Sequence, residues 1–397
     1  MNTRRPALDI AIAGGGMVGA ACALALARRG FAVALLEARE PPPWQAAEPE
    51  DLRVIALAPS SARLLDELGT WRGIHAARVS PYRHMRVWDA ASGAELGFDA
   101  AREGWAQLGW IVENKLIAWK LWQTLEDAGV RRVCPAQVES FTQREDRVAL
   151  ELGNGELLSA ALLVIADGAG SRLREQAGIA VRGRNYHQRA VVAHVATERA
   201  HAQTAWQRFT REGPIALLPL ADGRSSIVWS LPEVRACEVL ALDDTAFCEV
   251  AGTASDFRLG RMTTTTPRAS FPLRLRVAEN FAAGRCVLIG DAAHAVHPLA
   301  GQGANLGLRD VAELASALGE ARAAGRDFTA PQVLQRYARR RRSAGTLDAR
   351  AFDAIERMFA AQAPAWAALR GLGMRAVDAI EPLKRRLSAH AGGRAGI

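Results

Sequence analysis

Three stretches of this 397-residue chain set small residues and carboxylates where a phosphorylated, electron-poor ligand could be held. The first is Gly14-Gly15-Gly16-Met17-Val18-Gly19, a GxGxxG run between an apolar segment and a segment of small residues. In such a run Gly14 permits a tight turn, Gly16 lets the backbone touch a pyrophosphate, and Gly19 lets helix and strand pack closely. The exposed N–H groups and the positive helix end, on the order of half a charge, receive the phosphates. Glu37, closing the next apolar run, stands where an acid accepts hydrogen bonds from an adenosine ribose. The motif alone does not separate FAD from NAD. A second match, Gly371-Leu372-Gly373-Met374-Arg375-Ala376, has no strand before it and reads as a break between helices. One dinucleotide site is therefore expected, and NADH or NADPH would visit it without a Rossmann half-domain of its own.

The second stretch, Ala166-Asp167-Gly168-Ala169-Gly170-Ser171, follows another buried run. An acid before two glycines is a common turn, so in isolation it carries little. The third joins Val287-Leu288-Ile289-Gly290-Asp291-Ala292-Ala293-His294 to Pro298-Leu299-Ala300-Gly301-Gln302-Gly303-Ala304-Asn305. A carboxylate at a strand end, facing a glycine-opened helix, suits a polyol chain ending in an electron-poor ring. Asp291 would hold ribityl hydroxyls. N–H groups around Gly303, Ala304 and Asn305 would face a flavin's N1 and O2 and stabilise the negative charge of its reduced form. His294 reads as structural. His297, next to Pro298, is the candidate for polarising a phenol. Neither histidine has a ligand-spaced partner, so no metal is expected. No serine sits in a nucleophile elbow, which argues against acyl transfer.

These residues need elements to position them. Leu8 to Ala13, a helix from Met17 to Arg29 and the run Ala32 to Leu36 form one βαβ unit. A helix from Ser60 to Leu68, strands around Ser92-Gly93, a helix from Asn114 to Ala128 and a hairpin at Asn154-Gly155 follow. Residues 186–272 read as strand-rich, and α/β character returns at Cys286. The expected fold class is α/β (α+β): a Rossmann-like FAD-binding domain with an inserted, mainly β substrate domain and a helical C-terminal tail. Its segments are 1–75, 107–182 and 273–360 for the FAD-binding domain, 76–106 and 183–272 for the substrate domain, and 361–397 for the tail.

Composition narrows the class further. Hydrophobic residues make up 49% and charged residues 23%, as in ordinary globular proteins. The net charge of +8 is almost all arginine and fits steering of an anionic co-substrate or attraction to an anionic membrane. No zinc-finger spacing, RNP-like stretch or basic helix supports nucleic-acid binding. The 5 scattered cysteines read as reduced thiols of a cytoplasmic protein. No run of about 20 apolar residues exists, so the chain is expected to be soluble or peripheral to the inner face of a membrane. Trp105, Trp110, Trp119 and Trp122 could line a pocket but read first as core. The run Arg339 to Arg342 reads as a solvated helix face. Met374, Val377, Ile380, Leu383 and Leu387 form an apolar tail stripe, broken by Pro382, that is expected to dock on the FAD-binding domain or a partner rather than on a membrane.

Taken in order and spacing, the three motifs resemble those of the FAD-dependent aromatic hydroxylases related to p-hydroxybenzoate hydroxylase, over essentially the whole chain. Within that group the chain is most similar to the ubiquinone-biosynthesis hydroxylases. The matching stretches are Arg53-Val54-Ile55-Ala56-Leu57, Leu108-Gly109-Trp110-Ile111-Val112-Glu113-Asn114, Gly213-Pro214-Ile215-Ala216-Leu217-Leu218-Pro219-Leu220 and His297-Pro298-Leu299-Ala300-Gly301-Gln302-Gly303. The resemblance implies noncovalent FAD, reduction by NADH or NADPH, and ring hydroxylation through a flavin C4a-hydroperoxide. It places Asp167 where FAD and visiting NAD(P)H are both sensed, Asp291 at the ribityl chain and Arg53 beside the flavin. Asn114 stands where relatives often carry arginine or glutamine near the FAD phosphates. Ala304 replaces the usual leucine before Asn305. The implied substrates are O2 and a prenylated phenol or quinone precursor, with peripheral membrane or biosynthetic-complex association. The rival readings are a catabolic hydroxylase of a small phenol, a flavin reductase that inserts no oxygen, and a non-catalytic flavoprotein scaffold.

Overall fold

Leu8–Ala13 becomes a strand because its apolar side chains bury on both faces, and Gly14, at φ +105°, turns the chain into helix α1 (Met17–Ala27). The computed structural model describes residues 8–295, 302–360 and 363–393. The first strand pairs in parallel with Val33–Leu36 on one side and Leu157–Ile165 on the other. Arg131–Val133 and Cys286–Leu288 extend this sheet in the same sense. The antiparallel pair Val138–Gln143 and Val148–Leu152 adds to its edge.

Around it lie α2 (Pro59–Glu67), α3 (Trp71–Ala77), α4 (Asn114–Asp127) and the short α5 (Arg172–Gln176). A three-stranded sheet of Val54–Leu57, Gly109–Glu113 and Val79–Tyr82 bridges towards the second layer.

That layer is a nine-stranded sheet. Its middle is antiparallel: Ala269–Ala278, Val181–Thr197, Ser225–Pro232, Pro214–Pro219 and Thr204–Phe209. His84–Asp89 then joins Thr204–Phe209 in parallel, so residues from 76–106 and from 183–272 share one sheet. The pairing of Val181 with Ala278 carries this sheet past residues 183 and 272 at its two ends.

The segment 186–272 is strand-rich as expected, and two helices that the sequence reading did not pick out, α6 (Glu233–Ala241) and α7 (Asp244–Ala254), lie within it. Asp243 caps α7 by accepting a hydrogen bond from the Ala246 N–H at 2.8 Å. Their apolar faces cover the sheet through Ala236, Val239, Phe247 and Ala251 against Val191, Ile227 and Trp229. The sheet's outer face is apolar, and something must bury it.

The remaining helices are α8 (Gln302–Ala323), α9 (Pro331–Ala360), α10 (Pro364–Ala379) and α11 (Glu381–Ala391). α1 is buried on nearly every face, packed against α4 and α8. α10 runs straight through Gly371 and Gly373, where a break was expected. Gly371 is needed for approach rather than for a turn, since a Cβ there would press on the Ser92 side chain at 2.7 Å. The chain turns instead at Ile380, and Pro382 falls in the first turn of α11, where a missing N–H costs nothing.

Candidate functional site

The three motifs converge at the carboxyl ends of the parallel strands. A Cβ on Gly14 would run into the carbonyl of Ala166, and one on Gly19 into the carbonyl of Gly14. Both glycines are therefore fixed by close packing. Gly16 differs, because nothing lies within 4 Å of where its Cβ would be. It is also the N-cap of α1 and offers the first turn no side-chain hydrogen bond. An open, uncapped helix start is what an incoming phosphate requires. Glu37 is half-buried at the end of its strand and accepts hydrogen bonds from the Gly15 and Arg39 N–H groups. These features fit the adenosine and pyrophosphate of a dinucleotide.

The second motif lies against the first, as the Ala166 N–H donates to the Ala13 carbonyl at 2.8 Å. Desolvation by burial raises the Asp167 carboxyl above its usual range, although bonds from Ser171 and the Leu173 backbone oppose the rise. The third motif meets α1 and α8: a Cβ on Gly290 or Gly307 would press on Val18. Asp291 keeps an exposed surface, but desolvation by the surrounding protein raises its carboxyl pKa despite the pull of His294 and Arg53. The Arg53 carbonyl accepts the Asn114 N–H at 2.8 Å, which joins the start of one matched stretch to the end of another. His297 and Pro298 lie outside the described residues. Gly303 and Ala304 are half-buried in the first turn of α8. Asn305 next to them is fully buried. Its carboxamide oxygen accepts from the Ala58 N–H and the Ser61 hydroxyl, and its NH2 donates to the Ala56 carbonyl, each at 2.8 Å. The side chain thus ties α8 to the end of the strand Val54–Leu57.

Several residues escaped the sequence reading. Asp310 in α8 is fully buried and accepts from the Gly290 N–H at 2.9 Å, His294 Nε2 at 2.6 Å and Arg341 Nε at 2.6 Å. Burial opposes these charges, yet Asp310 holds the His294 pKa up, and the two cations hold Asp310 below the usual carboxylate range. Arg339, Arg340 and Arg342 are exposed as expected of a solvated face, but Arg341 is not, since it is buried inside this triad. Buried Glu113 accepts from Trp44 Nε1 at 3.1 Å and the Asp51 N–H at 2.8 Å, and so pins the loop that carries Arg53. The only signal for Asp310 was its place five residues after Asn305, on the same helix.

A cavity of about 660 Å³ opens beside the flavin-type motifs. Its inner end is Ala56 and Ala58, the residues clasped by Asn305. The wall is sheet on one side and α9, α10 and α11 on the other. Of the four tryptophans singled out, Trp105 lines it, while Trp122 is core and Trp110 and Trp119 pack against the core. A separate polar cleft of about 630 Å³ gathers Arg174, Arg184, Arg274 and Arg276 next to the Asp167 loop. Arg276 donates to the Ala169 carbonyl there at 3.2 Å.

Comparison with known proteins agrees with this geometry. The profile of the FAD binding domain family matches residues 7–349. The 3-demethoxyubiquinol 3-hydroxylase of Escherichia coli is 37% identical over 96% of this chain and 98% of its own length. The ubiquinone biosynthesis monooxygenase COQ6 of Xenopus tropicalis is 36% identical over 98% of this chain and 95% of its own. Among solved structures, p-nitrophenol 4-monooxygenase PnpA from Pseudomonas putida superposes with a TM-score of 0.76 at 20% identity, covering 99% of this chain and 100% of that one.

Proposed function

The chain belongs to the FAD binding domain family, and from that premise we propose that it hydroxylates the aromatic ring of a polyprenyl phenol or quinone precursor in ubiquinone biosynthesis. It is an FAD-dependent aromatic-ring monooxygenase. Bound FAD supplies the two-electron chemistry that activates O2, so one oxygen atom enters the ring and the other leaves as water. The protein's share is to bind, orient and exclude water.

In this reading Gly14, Gly16 and Gly19 seat the pyrophosphate on α1, and Glu37 takes the ribose. Asp291 holds the ribityl hydroxyls, Asn114 flanks the phosphates, and Asp167 stands where FAD and the visiting NAD(P)H are both sensed. Backbone N–H groups of Gly303, Ala304 and Asn305 face the pyrimidine end of the ring, and Arg53 adds positive charge beside it. His297 and Pro298 are proposed to border the substrate ring. NADH or NADPH is the reductant, a visitor whose phosphates suit the four-arginine cleft beside Asp167.

Among the described residues no helix is long and apolar enough to cross a membrane. Peripheral contact is proposed through the outer face of the tail, where exposed Ile380 and Leu383 neighbour exposed Arg375 and Arg386.

The observation that carries the substrate assignment is the apolar cavity abutting the cofactor motifs, far larger than a phenol ring needs. The test is mass spectrometry of lipid extracts from a strain lacking the gene and any redundant hydroxylase. A polyprenyl intermediate short of one ring hydroxyl should accumulate, and wild type should clear it. Asp291→Ala should not, since it loses a charge-assisted hydrogen bond worth roughly 1.5–3 kcal/mol to the flavin. Normal quinone levels in the deletion strain would defeat the assignment.

A further inference from the structure

We infer that the C-terminal helices are part of the substrate site: α9, α10 and α11 wall a subsite for an uncharged isoprenoid chain and frame the mouth through which that chain leaves the protein. The inference rests on the proposed hydroxylase reading and deepens it.

The cavity has a direction. Its inner end, Ala56 and Ala58, is held by Asn305 beside the glycine-opened start of α8. From there one wall is the sheet, through Met85, Val87, Phe98 and Leu218. The opposite wall is the tail, through Phe359, Met374 and Val377. Its opening to solvent is marked by exposure, because Met358, Trp366, Leu369 and Leu387 line the cavity and are still 42%, 56%, 57% and 44% accessible. Large apolar side chains that both line a cavity and face solvent are its rim.

The charge on the wall is already spent. Arg370 lies against the cavity, but its guanidinium makes two 3.0 Å hydrogen bonds to the carboxylate of buried Asp89. That pair also anchors α10 to the strand His84–Asp89, and the Gly97 N–H bonds Asp378 at 3.1 Å about two turns further on. A ligand lying there meets hydrocarbon and aromatic faces, with no unneutralised charge from Arg370. A phenol ring placed at the inner end would fill a small part of this volume, and a flexible apolar chain attached to it would fill the rest.

Gly373 gives direct access to the inference. It lines the cavity from within α10, and nothing lies within 4 Å of where its Cβ would stand. Gly373 is exposed but shares the lining face of α10 with Arg370, Met374 and Val377, so Gly373→Phe puts a ring at the channel mouth without displacing protein, and a helix-interior glycine is not otherwise favoured. Leu372 is its neighbour, is 62% exposed and does not line the cavity, so Leu372→Phe is the matched control.

The experiment uses full-length, FAD-loaded protein and equilibrium dialysis of two probes, a phenol bearing a farnesyl chain and the same phenol without it. Thermal melting and flavin content establish that each variant is folded. Gly373→Phe should weaken binding of the farnesyl phenol at least tenfold and that of the bare phenol less than twofold. Leu372→Phe should change neither by more than twofold. Gly373→Leu, a smaller intrusion, should give the same order with a smaller factor. Unchanged farnesyl binding in Gly373→Phe overturns the subsite, as does equal weakening of both probes or wild type that binds the two alike. Hydroxylated product is measured separately on wild type. Product formation with chain binding indifferent to Gly373→Phe removes the subsite and leaves the hydroxylase standing. Chain-selective binding without any product does the reverse.

Discussion

Glu50 lies 3.5 Å from Arg224, yet burial, with Asp222 and Glu113 close by, raises its carboxyl pKa from 4.5 to about 7. The folded protein therefore holds a proton there that the unfolded chain gives up. Stability falls as pH rises from about 4.5 to about 7 and is flat, for this group, above that. Glu50→Gln should remove that fall, leaving the variant about 1–3 kcal/mol more stable than wild type at pH 8 and no more stable near pH 4. Denaturant melts at the two pH values decide it, and an equal difference at both would show that Glu50 is not the titrating group. Glu50 was invisible in the sequence because Glu113, Asp222 and Arg224 come from 63 to 174 positions away. The glycines were legible for the opposite reason. Gly14, Gly16 and Gly19 make a turn between strand and helix that states its needs within six residues, although the Ala166 carbonyl that crowds Gly14 could not be read there. Asn305 was legible as a member of the site, but the partners of its carboxamide, at Ala56, Ala58 and Ser61, were not.

At the scale of elements, α8 and α9 are joined to the Asp291 loop by one buried carboxylate. Asp310 meets His294, Arg341 and the Gly290 N–H, so it ties two helices to the turn that presents Asp291. Removing one partner of such a set leaves uncompensated charge in the interior, typically a loss of 3–5 kcal/mol. Asp310→Asn keeps the shape and removes the charge. It should lower the melting temperature sharply and reduce retained flavin, as read by differential scanning calorimetry and by absorbance after gel filtration. A melting temperature within a degree of wild type would mean that the triad contributes no net stability. Periodicity and end signals foretold the strands and helices of the nucleotide-binding layer because each buries a continuous apolar run. They missed α6 and α7, whose buried faces, Ala236 and Val239, Phe247 and Ala251, pack on a sheet no local pattern could announce. They also failed at Gly371 and Gly373. Glycine there serves close packing on Ser92 and an open channel wall, and neither purpose interrupts a helix.

At the scale of the molecule, the tail does what the sequence assigned to neither it nor any other segment. An apolar stripe was legible, but its target was not, because Met374 and Val377 face the sheet while Ile380 and Leu383 on the same stripe face solvent. Docking on the second sheet uses the inward residues, so the outward ones are left over. Exposed Arg375 and Arg386 lie among them, and cations beside exposed apolar side chains favour an anionic bilayer, at about 1 kcal/mol per basic residue. A membrane at this face would adjoin the rim formed by Trp366, Leu369 and Leu387, where a polyprenyl chain could pass from lipid into the cavity without crossing water. Two charge reversals, Arg375→Glu with Arg386→Glu, should then weaken sedimentation with vesicles containing anionic lipid at least tenfold. Flavin content and binding of the bare phenol should not change. Wild-type sedimentation should also fall as salt is raised, since the attraction acts within a Debye length of about 8 Å. Salt-independent sedimentation equal in both proteins would move the membrane contact elsewhere. Its absence in both would mean that the outward residues meet a protein.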